Sequence, residues 1–176
     1  ARYDCPVTLS SRPQGSNQSE AAASAAPNAT ANATMTKFGY PQTLIRDYRH
    51  WVVLLRGKQA TLGALVLVCK DPAKAFGDIS PAAFAELQRA TGDIEAGLSA
   101  FRKYEKINYL MLMMVDPDVH FHVLPRYAET QNFAGTDYPD KGWPAVPDLA
   151  AGVTPDAAGQ AALVEAIQAA WPASRG

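Results

Sequence analysis

The amino-acid sequence predicts an α+β domain, an antiparallel meander-like sheet with its main helix on one face. Three observations carry this. Short, nearly continuous apolar runs, Trp51–Leu55 and Gly63–Cys69, read as strands covered on both faces, and Ile107–Val115 reads as a third strand. One long stretch after Ser80 instead repeats its apolar residues at helical spacing. The resulting order is strand, strand, helix, strand, strand, loop, helix. With 176 residues, 48% of them hydrophobic, the chain can bury one domain core.

Taken in order, residues 1–34 are dominated by Ala, Ser, Thr and Asn with little to bury, and read as a disordered arm. The texture changes at Met35. Trp51–Leu55 and Gly63–Cys69 form adjacent strands across the turn-like Gly57-Lys58-Gln59, and Pro72 ends the second strand because proline cannot extend a ladder. Ser80 as N-cap with Pro81 at the first helical position starts a helix of about twenty residues. Its stripe is Phe84, Leu87, Ala90 or Thr91, Ile94, Leu98 and Phe101; the charges at Arg102, Lys103, Glu105 and Lys106 are a solvated helix end. The Met111, Met113 and Met114 cluster reads as adaptable core. Beyond Tyr127 the periodicity is lost until Thr154-Pro155-Asp156 starts a second helix, with Leu163, Ile167 and Trp171 on one stripe and Pro172 at its end.

A formal charge of −1 gives no general electrostatic reason to bind nucleic acid or an anionic membrane. The two cysteines, Cys5 and Cys69, lie in dissimilar segments; Cys69 reads as a small buried residue, and no disulfide framework is expected. No apolar run approaches the ~18 residues of a membrane span, and no secretory signal is visible, so a cytoplasmic protein is expected.

Val115 to Tyr127, V-D-P-D-V-H-F-H-V-L-P-R-Y, carries the chemistry. Two of only three histidines stand here at i and i+2. Strand alternation puts Asp118, His120 and His122 on one face and Val119, Phe121 and Val123 on the other. The pattern admits two structural histidines, a His/Asp metal site, or nucleophilic catalysis, in which one imidazole attacks phosphorus and a second protonates the leaving group. The third histidine, His50 beside Trp51, reads as structural.

Asp118-x-His120-x-His122-Val-Leu-Pro-Arg126 resembles the signature of the histidine triad (HIT) family of nucleotide hydrolases and transferases, three alternating histidines running into a Val-Leu-Pro-Arg-like end. The likeness covers residues 38–128. It implies a HIT-like catalytic domain over 35–130, with 131–176 a C-terminal loop and helix packing on it. It also implies a five-stranded antiparallel sheet, a homodimer, and no required cofactor, with divalent ions accompanying a polyphosphate substrate. The implied reaction is attack on the α-phosphorus of a nucleotide, a dinucleoside polyphosphate or nucleoside phosphoramidate, through a nucleotidyl-histidine intermediate. By position His120 is the nucleophile, and His122 contacts phosphate and assists the leaving group. Two departures stand out. Asp118 replaces the first histidine, and Asp116-Pro117 replaces a glycine-bearing loop, so the phosphate grip falls to Asn108, Arg126 or the strand amides. Ala64 stands where a histidine often follows the glycine, here Gly63. The base is expected against apolar residues of 38–55. A non-catalytic nucleotide-binding or interaction dimer of the same fold is the alternative.

Overall fold

The structure, a computed structural model, describes residues 31–173. A five-stranded antiparallel sheet is built from β1 (Leu44–Asp47), β2 (Trp51–Leu55), β3 (Leu65–Cys69), β4 (Lys106–Leu110) and β5 (His120–Arg126), in the order β1-β2-β3-β5-β4. Helix α1 is Ala33–Lys37, α2 is Pro81–Phe101 and α3 is Ala157–Ala170, while β6 (Gln131–Phe133) and β7 (Thr136–Tyr138) form a separate hairpin. The α+β architecture, the long helix and the C-terminal helix all agree with the sequence reading.

Strand alternation decides what each sheet face meets. Odd-numbered Trp51, Val53, Leu55, Leu65, Leu67, Cys69 and Val123 join Ala83, Ala90, Ile94 and Leu98 of α2 and Leu163, Val164 and Ile167 of α3 in the main core. Even-numbered Val52, Leu54, Val66 and Val68 face the other way and pack on Met35 of α1. His120 and His122 lie on this second face, paired across the ladder with Val68 and Val66. The long helix therefore stiffens the sheet from behind and leaves the histidine face to smaller pieces of chain.

Helix α2 begins as expected: Ser80 Oγ accepts the Ala83 N–H at 3.1 Å, and Pro81 opens the first turn. Its buried stripe runs Ala83, Ala90, Ile94, Gly97 and Leu98, with Phe84 on the exposed rim. Gly97 belongs to the core because the Trp171 indole lies against it; a β-carbon there would come within 2.8 Å of the ring. Helix α3 starts at Asp156, which caps Gly159 N–H at 2.7 Å.

Several boundaries differ from the sequence reading. For residues 1–30, including Cys5, the arm expectation lies outside the described chain. Residues 31–34 are ordered: Asn32 caps α1 through Met35 N–H at 2.9 Å, and Thr34 and Met35 are buried. The third strand stops at Leu110 rather than Val115, because the chain turns away from the sheet through Met113–Val115. Met114 is consequently 94% exposed, not core. The β6–β7 hairpin occupies what reads as loop, its three-residue strands being too short for periodicity to show. Cys69 is buried, as expected.

Candidate active site

His120 and His122 come together as the alternation requires. Their rings lie 5.2 Å apart, centroid to centroid, at 82°. His120 is fully buried and His122 only 6% exposed. Phe38, just past α1, sits against both rings at 6.0 and 5.6 Å. Behind them the floor is Val66 and Val68, so the imidazoles occupy a largely apolar slot.

The tautomer of His120 follows from its partner. Nδ1 is 2.7 Å from the backbone carbonyl of Asp118, an oxygen that can only accept, so Nδ1 carries the proton and Nε2 holds a free lone pair. Neither Nε2 of His120 nor Nδ1 of His122 has a hydrogen-bond partner among the described residues. Two buried, unpartnered ring nitrogens side by side are costly, since each forgoes hydration for nothing. The histidines are thus not satisfied core residues. Burial first, then the neighbouring His120 and Arg56, pushes the His122 pKa down to about 4, and the ring is neutral at pH 7.

Asp118 contributes through its backbone, while its side chain is engaged elsewhere. One carboxylate oxygen accepts from Thr34 N–H at 3.1 Å and Thr34 Oγ at 2.9 Å, and the other pairs with Lys74. Burial would raise this carboxyl's pKa, but the Lys74 and Thr34 hydrogen bonds outweigh it and hold it below the usual carboxylate range. The carboxylate placed by alternation beside the histidines instead anchors α1 over them. Among the described residues no group of three His, Cys, Asp or Glu side chains gathers as a metal-holding set. His50 meets Asp71 at 3.4 Å, away from the slot, and Asp71 also accepts from Ser80 N–H at the start of α2. That is the structural role read from the sequence.

Asn108 and Arg126, the residues expected to grip phosphate, contact each other at the far end of β5. Arg126 is buried with four of its five guanidinium N–H groups engaged: Nε and Nη2 donate to Asp140 at 2.6 and 3.1 Å, Nη1 to Asn108 Oδ1 at 2.8 Å, and Nη2 also to Ala145 O at 3.1 Å. Asn108 lies on the histidine face, one alternate residue beyond Leu110, the cross-strand partner of His122. Its side-chain oxygen accepts from Arg126, a bond that leaves the amide Nδ2, the atom that would donate to a phosphate, uninvolved. This end of β5 fastens the C-terminal segment to the sheet.

Three residues not singled out by the sequence reading close the site. A cavity of about 350 Å³ opens beside His122, lined by Lys37, Phe38 and Arg56, by Asp116, and by apolar Leu112, Met114, Val115 and Leu149. Lys37 pairs with Asp116 at 2.5 Å, and the Asp116-Pro117 turn thereby ties α1 to the approach of β5. The signal for Arg56 was available in the sequence, since it breaks an otherwise apolar strand end at Trp51–Leu55. Lys37 and Phe38 had no local signal; only tertiary placement of α1 brings them in.

No family model and no curated protein matches this sequence. Solved structures do. A histidine triad protein from Bradyrhizobium japonicum superposes with a TM-score of 0.62 at 19% identity, covering 81% of this chain and 97% of its own. A histidine triad (HIT) protein from Sinorhizobium meliloti 1021 gives 0.59 at 20%, over 81% and 96%. The fold is the histidine triad fold. A third structure, a hypothetical histidine triad nucleotide-binding protein from Sulfolobus tokodaii strain7, gives 0.54 at 15%, over 73% and 82%. At these identities the likeness establishes the histidine triad architecture and leaves the chemistry to be argued from this chain's own residues.

Proposed function

We propose that the chain is a histidine triad hydrolase or nucleotidyltransferase that cleaves at the α-phosphate of a nucleotide through a nucleotidyl-histidine intermediate. The observation that carries this reading is the His120 ring, with Nδ1–H held by the Asp118 carbonyl at 2.7 Å and Nε2 left as an unpartnered nucleophile beside a second imidazole.

In the first step the Nε2 lone pair forms a bond to the α-phosphorus. The bond from phosphorus to the leaving group breaks, and its electron pair departs with that group. His120 becomes a cationic N-phosphoryl imidazole, and the Asp118 carbonyl stabilises it by accepting from Nδ1–H. His122 supplies the leaving group's proton. Because this ring is neutral at pH 7 by itself, the reading requires the bound phosphate's negative charge to raise its proton affinity. A water, or another acceptor, then attacks phosphorus, returns a proton to His122 and releases His120. Phe38 stands against both rings, so the phosphate must be accommodated beside it. Dinucleoside polyphosphates and nucleoside phosphoramidates are the candidate substrates, and divalent ions accompany the former. The working unit in this reading is a homodimer; the open edge of β4 and exposed Leu112, Met114 and Val115 beyond it support that.

A nucleotide-binding module without turnover is the second reading, favoured by the complete burial of His120. Turnover of diadenosine tetraphosphate and of an adenosine phosphoramidate, each by wild type and His120→Ala, separates the two. Hydrolysis of one substrate that disappears in the variant supports the enzyme. Nucleotide binding with no turnover of either supports the module.

A further inference from the structure

We propose that Arg56 is the phosphate-binding residue of this site, Arg126 being already paired with Asp140. The inference rests on the nucleotidyl-transfer reading above and extends it to the groups that hold the anion.

Arg56 stands at the junction of two neighbouring cavities. One is the His122 cavity; the other, of about 360 Å³, is the more polar of the two, with Gln42, Thr43, Lys58 and Gln160 in its wall. Lys37, Phe38 and Arg56 line both. A substrate extending from the histidines into the polar cavity must pass the guanidinium. Its own contacts are meagre: Nη1 donates to the Lys58 carbonyl, Nη2 reaches the Leu149 carbonyl at 3.4 Å, and the buried Nε has no partner. Among the described residues no carboxylate forms an ion pair with it. By contrast Lys37 is neutralised by Asp116, and Arg126 by Asp140.

A half-buried guanidinium held only by neutral carbonyls loses hydration without gaining a counter-charge. A phosphate supplies what is missing, because the planar fork offers two parallel donors to two phosphate oxygens. The same anion relieves the field that Arg56 exerts on His122 and so couples substrate binding to protonation of the leaving-group acid. Lys58, on the polar side, extends the positive wall beyond Arg56.

Calorimetric titration of AMP and GMP, each against its nucleoside, tests this in wild type, Arg56→Gln and Arg56→Lys. Wild type should prefer the monophosphate. Arg56→Gln should cut that preference by roughly 10- to 100-fold, the worth of charge-assisted hydrogen bonds, with nucleoside affinity unchanged. Arg56→Lys, which keeps the charge but loses the fork, should lose less, and it decides the matter if the glutamine variant does not fold. The His122 ring, followed by NMR, should titrate higher in Arg56→Gln. A wild type that prefers neither monophosphate over its nucleoside, a preference unaltered in both variants, or an equal loss of nucleotide and nucleoside binding overturns the proposal. Phosphate preference that depends on Arg56 in a protein without turnover leaves this inference standing and removes the catalytic reading. His120-dependent turnover with unaltered preference does the reverse.

Discussion

The two ends of β5 present polar side chains to the same face of the sheet, and they are finished differently. At the Arg126 end the guanidinium makes four hydrogen bonds, two of them to a carboxylate as buried as itself. At the His120 end two ring nitrogens have no partner, and the nearby Arg56 keeps an orphan Nε. Burial alone does not separate the ends, since both are nearly sealed. What separates them is hydrogen-bond satisfaction. The satisfied end is fastening; the unsatisfied end is held ready for something that binds.

The largest effect expected from this contrast is on turnover. His120→Ala should lower the rate on any accepted substrate by at least ~10³-fold while leaving the fold intact, because it removes a nucleophile and no internal side-chain partner. Equal rates in variant and wild type would erase the distinction between the ends. Asp140→Ala should do the opposite. Removing one member of a buried pair leaves Arg126 uncompensated, at a cost of about 3–5 kcal/mol in denaturant unfolding, while the folded fraction keeps its site chemistry. A loss below about 1 kcal/mol would mean that the pair is not the fastening described.

Acid should sharpen the contrast next. The folded His122 pKa, about 4, lies below the usual 6.5. Between those values the unfolded chain takes up a proton that the folded chain refuses, so stability falls as pH drops from about 6.5 to about 4. Asp118 adds a loss of the same sign below its ordinary 3.8, since its folded carboxyl is held lower. His122→Gln should flatten the upper part of that profile. A wild-type profile already flat there would contradict the burial argument. Phe38→Ala, which opens the slot to water, should move the His122 titration back toward 6.5.

The smallest effects belong to the anchor of α1. Asp118→Asn should cost ~1–3 kcal/mol, through weakened bonds to Thr34 and loss of the charge that Lys74 meets. Lys74→Ala should cost under ~1 kcal/mol, because its ammonium end is mostly in solvent. A larger loss from the lysine variant than from the aspartate variant would show that the carboxylate is not held chiefly by Thr34.

Much of this was legible beforehand. The period-2 pattern over Asp118–Arg126 placed both histidines on one face, and the helical spacing after Ser80 placed α2, because both are local properties of the chain. The pairing of Arg126 is not legible in the sequence for a physical reason. Its partner Asp140 lies 14 residues away in a segment without periodicity, and nothing local tells a free arginine from a paired one. The contacts of Asp118 are hidden in the same manner: alternation sets its direction as strand, but β5 begins only at His120, and the carboxylate meets Thr34 and Lys74. Thr34 and Lys37 were invisible because α1 is five residues long and owes its place to contacts with the sheet and the Asp116–Asp118 turn. Arg56 alone was open to an earlier reading, as a charge that closes an apolar strand.

The central claim is that His120 Nε2 is a nucleophile rather than a buried imidazole that happens to lack a partner. The most direct measurement is mass spectrometry of protein mixed rapidly with a nucleotidyl donor, such as an adenosine phosphoramidate, and quenched at neutral to alkaline pH, where phosphoramidate links survive. The expected result is an adduct of one nucleotidyl group mapping to His120, absent in His120→Ala and present in Arg126→Lys. Turnover with the group found on another residue, or turnover that persists in His120→Ala, would contradict it.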